Sequence, residues 1–351
     1  MTNKSLLQQI NLLFNDNFQK HSENLSAVFF ADSTHLWLAS DESTQIERLS
    51  LIDGNNFGEH QQFNIADFID LPAPVTEEID IEGIDINDGY LWFMGSHSWK
   101  RKKSKLDKSG SSNIKRLATI ATEANRYILA RIPLVNGELS QNSPESKSAA
   151  KLEVTADGNL LMDCLENDPH LQPFIQGKIP SKDNGLDIEG IAVFKNKVFL
   201  GLRGPVLRGW AILLEIELEL TSPGVMTLKS LTEANTKYKK YFLWLNGLGI
   251  RDLCRDGGDL LILGGPTMDL DGPVQIYRLA DVLNLADDVM HEPKFVQDIP
   301  YGFRDDHAEG MTLCHQLTGT PSLLVVYDSP AKSRFLDNGG LVADIFPLQS
   351  I

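Results

Sequence analysis

Residues 185–205, GLDIEGIAVFKNKVFLGLRGP, read as two apolar runs, IAVF and VFLGL, joined by the polar tip Lys195–Lys197. Short apolar runs bounded by a polar turn and by Gly and Pro predict a β-hairpin. The same phrase recurs at 80–98 (DIEGIDINDGYLWFMGSHS), 249–266 (GIRDLCRDGGDLLILGGP) and 307–330 (HAEGMTLCHQLTGTPSLLVVYDSP). Weaker copies stand at 24–43 and, weakest of all, at 149–164.

Ser26, Glu82, Ala150, Glu189, Arg251 and Glu309 hold corresponding places, in steps of 56, 68, 39, 62 and 58 residues. Steps of this size, filled with short strands and turns, match the blades of a propeller, which must stack because one blade cannot bury both of its faces. The expected fold is an all-β β-propeller over residues 1–351, in blades of mostly four antiparallel strands with few short helices. Six blades are expected, with five as the fallback if the 39-residue step is too short for a blade. Residues 1–23 should supply a strand near Ile10–Phe14 that completes the last blade, then a connection. Residues 55–76 are expected as a surface connection and residues 231–241 as a helix.

The chain of 351 residues, 42% hydrophobic and 23% charged, has an ordinary globular composition. Its formal net charge of -16 argues against a general grip on nucleic acid, whose phosphates need the opposite sign. Segments 99–116 break the pattern: eight lysines and arginines fall within 100–116, predicting a solvated basic loop or a flap that brings positive charge to an anionic ligand. No run is apolar and long enough to span a membrane. Cys164, Cys254 and Cys314 are widely separated and sit in apolar contexts, which predicts buried free thiols and a cytoplasmic setting.

In a propeller, equivalent residues of each repeat converge at one end of the axial channel. That expectation gathers Glu82, Glu189, Arg251, Asp252 and Glu309 near Asp41, His97, Arg203 and Asp328. Two chemistries follow. Glu82, Glu189 and Glu309 could bind a hard divalent cation, with Ca2+ the natural choice for carboxylate oxygens. Alternatively, Arg203 and Arg251, joined by His97 and oriented by the glutamates, hold a phosphate or carboxylate, with Asp41 and Asp252 as further ligand-binding candidates. A purely structural pairing of the glutamates with the arginines is the third reading. Gly83, Gly190 and Gly310, each after a repeat glutamate, are expected where the axis is crowded. Complete nucleotide-loop, serine-elbow and zinc-protease motifs are missing.

The set LWLASDES, EGIDIN with GSHSWKRKKSK, GLDIEGIAV with LGLRGP, GLGIRDL with GGP, and AEGM resembles the bacterial proteins catalogued as domain of unknown function 3616, from about residue 10 to 346. The resemblance implies a propeller-like fold and no established activity. It departs at Ser329 and Pro330, where a second acidic residue and a glycine are expected after Asp328, which puts a site role for Asp328 in doubt. The Glu-Gly strand openings are distantly similar to esterase-like phytase and calcium-dependent lactonase propellers. That similarity implies a channel calcium polarising an ester or phosphoester, with His97 or Glu189 moving the proton. The leading expectation is therefore a propeller that binds a metal or a small anionic ligand and hydrolyses an ester or phosphoester. The rival is a non-catalytic module that docks a protein partner on its rim.

Overall fold

The computed structural model describes residues 6–15, 22–232, 235–287 and 289–349. Among them, strands dominate and helices are few and short. Five of the predicted hairpins form, with inner strands Leu25–Phe30, Ile81–Asn87, Asp187–Phe194, Gly249–Asp256 and His307–Leu313. Each pairs antiparallel with a second strand: His35–Ser40, Tyr90–Gly95, Lys197–Gly204, Asp259–Gly265 and Ser322–Asp328 respectively. Third strands follow at Gln45–Asp53, Leu129–Val135, Trp210–Ser222, Val274–Leu279 and Leu341–Pro347.

The inner strands pack side by side in a closed ring. Ser26 Oγ donates to Ile81 O, linking the first to the second. A Cβ on Gly83 would lie 3.0 Å from Glu189 O, and one on Gly190 3.1 Å from Leu253 N. Met311 N donates to Asp252 Oδ2 at 2.7 Å. A Cβ on Gly310 would lie 3.1 Å from Val28 N, which brings the fifth back to the first. The crowding expected at these three glycines is thus met: each allows the next strand's backbone to approach where a side chain would collide.

The sixth copy, at 149–164, makes no blade. Ala150–Leu152 pairs instead with Leu129–Val135 as the outer edge of the second unit. Beyond it, Asn159 Oδ1 accepts from Leu161 N and Met162 N and caps the helix Leu160–Leu165, which buries Leu161, Met162 and Leu165. An Asn cap and helix-spaced apolar residues outweigh the strand reading there. Asn56–Asn64, expected as connection, is the first unit's fourth strand. The expected helix at 231–241 lies partly outside the described residues, and Tyr238–Trp244 is the third unit's fourth strand.

Gln8–Leu12 pairs antiparallel with Leu341–Pro347, so an amino-terminal strand does complete the last unit. It also runs parallel to Asn56–Asn64 and fuses the first and last units into one eight-stranded sheet. A parallel contact of Ala150–Leu152 with Val225–Leu228 fuses the second and third in the same way. Apolar cores fill the spaces between adjacent units; one of them joins Trp92, Leu129, Ile191, Leu200 and Leu214. Among the described residues no helix is long and apolar enough to cross a membrane. All three cysteines are free, Cys254 and Cys314 buried and Cys164 partly so.

Candidate functional site

Every inner strand carries a register shift at the same place. The pairing skips from Leu25 to Ala27, Ile81 to Gly83, Ile188 to Gly190, Ile250 to Asp252 and Ala308 to Gly310. The residue left out of the ladder is in turn Ser26, Glu82, Glu189, Arg251 and Glu309. A bulge leaves its extra residue unpaired and re-aims the side chain. Five equivalent bulges turn five scattered residues towards one end of the ring, and the four charged ones converge there.

Ion pairs organise this end. Arg203, at the close of a second strand, bonds Asp187 and lies 2.7 Å from Glu189 Oε1. Arg251 bonds Glu309 and stands 3.7 Å from Glu189 Oε2. Arg126 bonds Asp80 and donates to the hydroxyls of Ser96 and Ser98 at 3.0 Å each. Asp80 and Asp187 each sit two residues before a repeat glutamate, so the second and third units repeat one theme, an aspartate held by an arginine.

The side chains of Glu82, Asp41 and Lys182 stay out of these pairs: among the described residues none of the three makes a side-chain hydrogen bond or an ion pair. Burial and the nearby Asp80 and Glu189 push the Glu82 carboxyl well above the usual range. Asp41 is raised likewise by burial and by Asp80 and Asp328, and its Oδ1 is buried without a partner. Burial lifts Glu189 to about 8 against the pull of Arg203 and Arg251. Like charges crowded in a poorly solvated site favour protonated carboxyls.

These groups line a cavity of about 650 Å³ that includes Asp41, Asp80, Glu82, Lys182, Arg203 and Glu309. Its roof is the basic segment, which contributes Lys100, Arg101, Lys102, Lys103, Lys105 and Arg116. The segment is not a free loop. Lys100 Nζ pairs with Glu78 at 3.0 Å and Glu123 at 2.7 Å, and Arg101 with Asp183 at 2.7 Å. Lys100–Arg101 pairs with Ile120–Ala121, and between them lies the helix Gly110–Leu117, which buries none of its residues. Charge, not apolar contact, holds this strap over the mouth.

Other expected residues fall elsewhere. His97 is 1% exposed behind the mouth; its Nδ1–H donates to Gly95 O at 2.7 Å and its Nε2 accepts from Asn159 Nδ2 at 2.8 Å. Burial lowers its pKa to about 4. A neutral imidazole with both nitrogens engaged is not placed to move a substrate proton. Asp252 accepts from Leu253 N and Met311 N, each at 2.7 Å, and ties the fourth inner strand to the fifth. Asp328 borders a smaller hollow next to the main cavity, together with Lys182, Arg203 and Arg251.

Calcium fits the donors poorly, since Glu189 and Glu309 are each engaged by arginine. Among the described residues no three His, Cys, Asp or Glu side chains form a group that could hold a metal ion. Sequence patterning missed Arg126, in the short 3-10 helix Ala124–Tyr127, and Lys182, in a turn; both lie between strands. Asp80 and Asp187 already stand in the repeat, two residues before its glutamates, and could have been found by comparing the copies at that place.

No curated protein matches the chain. Among solved structures it is similar to a streptogramin B lyase, at 10% identity over 97% of this chain and 98% of that one, with a TM-score of 0.40. It is also similar to an α-L-arabinofuranosidase from Podospora anserina, at 9% identity over 97% and 96%, with a TM-score of 0.46. A mannose phosphorylase from Leishmania mexicana gives 11% over 98% and 89%, with a TM-score of 0.43. The chain belongs to the family described as Protein of unknown function (DUF3616), whose sequence profile covers residues 24–344.

Proposed function

We propose that this chain is a five-bladed propeller that takes a small anionic ligand into its channel mouth and hydrolyses an ester or phosphoester bond there. The observation that carries this reading is the pair of unengaged groups on one cavity, the raised carboxyl of Glu82 and the ammonium of Lys182. A buried acid that keeps its proton is a proton donor, and an ammonium that feels Glu309 and Asp328 without a direct ion pair to either is free to turn to an anion. Arg203 and Arg251, fixed by Asp187, Glu189 and Glu309, add positive charge whose positions are set before a ligand arrives.

In this reading Lys182, Arg203 and Arg251 hold the anionic oxygens of the substrate. Water adds to the phosphorus or carbonyl carbon, and the bond to the leaving oxygen breaks. That oxygen takes the proton of Glu82, and Glu82 regains one from the attacking water, so the acid is restored. Glu189 positions the arginines; its bond to Arg203 leaves it less free than Glu82 to give up a proton.

The test is turnover of p-nitrophenyl phosphate and of p-nitrophenyl acetate by the parent and by Glu82→Gln and Lys182→Met, in chelator and again with calcium, magnesium or manganese. The reading predicts chelator-resistant turnover of at least one substrate, reduced about 10²-fold or more by either substitution. Turnover equal in parent and variants would contradict it. Turnover only with added metal would replace it with a metal-assisted mechanism.

A further inference from the structure

Beside the cation-bearing half of the mouth the surface turns apolar. The smaller hollow lined by Lys182, Arg203 and Arg251, and by Asp269, Glu309 and Asp328, is walled on its outer side by Met268, Leu270 and Tyr301. These side chains are 44%, 55% and 47% exposed, unusual for large apolar groups next to three buried or half-buried cations. Met268 and Leu270 follow the second strand of the fourth unit, and Tyr301 follows its fourth, Lys294–Ile299, which pairs with Val274–Leu279. Asp183 forms an isolated bridge with Met268, which fixes this wall next to Lys182. Leu117, 48% exposed, lines the larger cavity from the strap.

We infer that the ligand is an anionic amphiphile, a phosphate or carboxylate head carrying an alkyl or acyl chain, with its head among Lys182, Arg203 and Arg251 and its chain along Met268, Leu270 and Tyr301. This rests on the anion-binding reading of the mouth and specifies what the anion is attached to. Covering the wall with a chain removes apolar surface from water on both sides, which a free phosphate or a sugar phosphate does not do. The open side of the hollow suits a chain lying on the surface, and one strap cation, Lys103, borders the same hollow. The head can come from a soluble monomer or from a lipid standing in a leaflet, and the chemistry is the same.

Calorimetric titration of the full chain with ethyl, butyl, hexyl and octyl phosphate, each below its micelle concentration, tests the inference. Affinity should rise along the series, up to about fourfold for each methylene that is fully covered. The Met268→Ser/Leu270→Ser variant should pull the octyl-to-ethyl affinity ratio towards one, and Lys182→Met should weaken every member. Equal affinity across the series, or an unchanged ratio in the double variant, would overturn the amphiphile while leaving the anion site standing. No binding of any member would overturn both. Co-sedimentation with phosphatidylcholine vesicles containing phosphatidic acid separates the sources: retention on them assigns the lipid in its leaflet, and binding of monomeric octyl phosphate alone assigns a soluble amphiphile.

Discussion

At the scale of single residues, the mouth is defined by which charges have partners. Asp187 and Glu309 are neutralised by arginines, and Glu82 is not. A carboxyl whose pKa rises on folding keeps a proton that the unfolded chain has already released. Stability therefore falls as pH climbs from the ordinary value of 4.5 towards the native one, which for Glu189 is about 8. Glu82→Gln copies the protonated form and should remove Glu82's share of that fall. Its Tm is expected to match the parent near pH 4.5 and to exceed it at pH 8 by a few degrees, about what 1 kcal/mol gives; equal melts at pH 8 would refute the raised carboxyl. His97→Asn should cost about 1–3 kcal/mol through the hydrogen bonds left unmade to Gly95 and Asn159. Calorimetry should find its ligand affinity per folded molecule unchanged, which a role in chemistry or binding would not allow. The recurring hairpin phrase made Glu82, Glu189, Arg251 and Glu309 legible as equivalents. Their division into engaged and free groups was not legible, because Arg126 and Lys182 arrive from connections without a pattern.

Among the elements, the inner hairpins were the most legible feature, since their apolar runs and glycines state a strand period and a tight axis together. Gly190 abuts Leu253 N and Leu253 Cγ, so Gly190→Ala forces two inner strands apart. It should destabilise the fold by about 1–3 kcal/mol in urea unfolding, and a neutral result would contradict the close approach. The bulges were not legible, because a bulge is a relation between two strands and not a property of either one. Asn56–Asn64 was missed for a related reason: its polar and glycine-containing run NFGEHQQFN forms a strand through pairing on both edges, not through propensity. The strap was visible as a charge run, but its ion pairs to Glu78, Glu123 and Asp183 depend on where the fold places those acids. Exposed pairs weaken with salt, so tryptic cleavage after Lys102, Lys103, Lys105 or Lys108 should quicken in high salt and in Asp183→Asn. A rate independent of both would show that something other than charge holds the strap.

For the whole molecule, the six places counted in sequence become five inner hairpins because 149–164 has too little chain between its neighbours and a capped helix where a hairpin should be. Closure of the ring depends on Gln8–Leu12, which pairs with both the last and the first unit. Deleting residues 1–12 should lower the Tm by more than 10 °C, roughly the loss of a buried strand carrying Ile10 and Leu12. A melt unchanged by the deletion would show that the ring closes without it. Closure matters to the proposed function because only a closed ring brings the four charged bulge residues, Glu82, Glu189, Arg251 and Glu309, to one end, around the main cavity and the smaller hollow next to it. The most direct test of that claim is calorimetric titration of ethyl phosphate into the parent chain, Lys182→Met and Arg251→Met, each first shown to be folded. Saturable one-site binding by the parent, weakened about tenfold or more in both variants, is the predicted result; no binding by the parent, or equal binding by all three, would contradict a ligand site at the mouth.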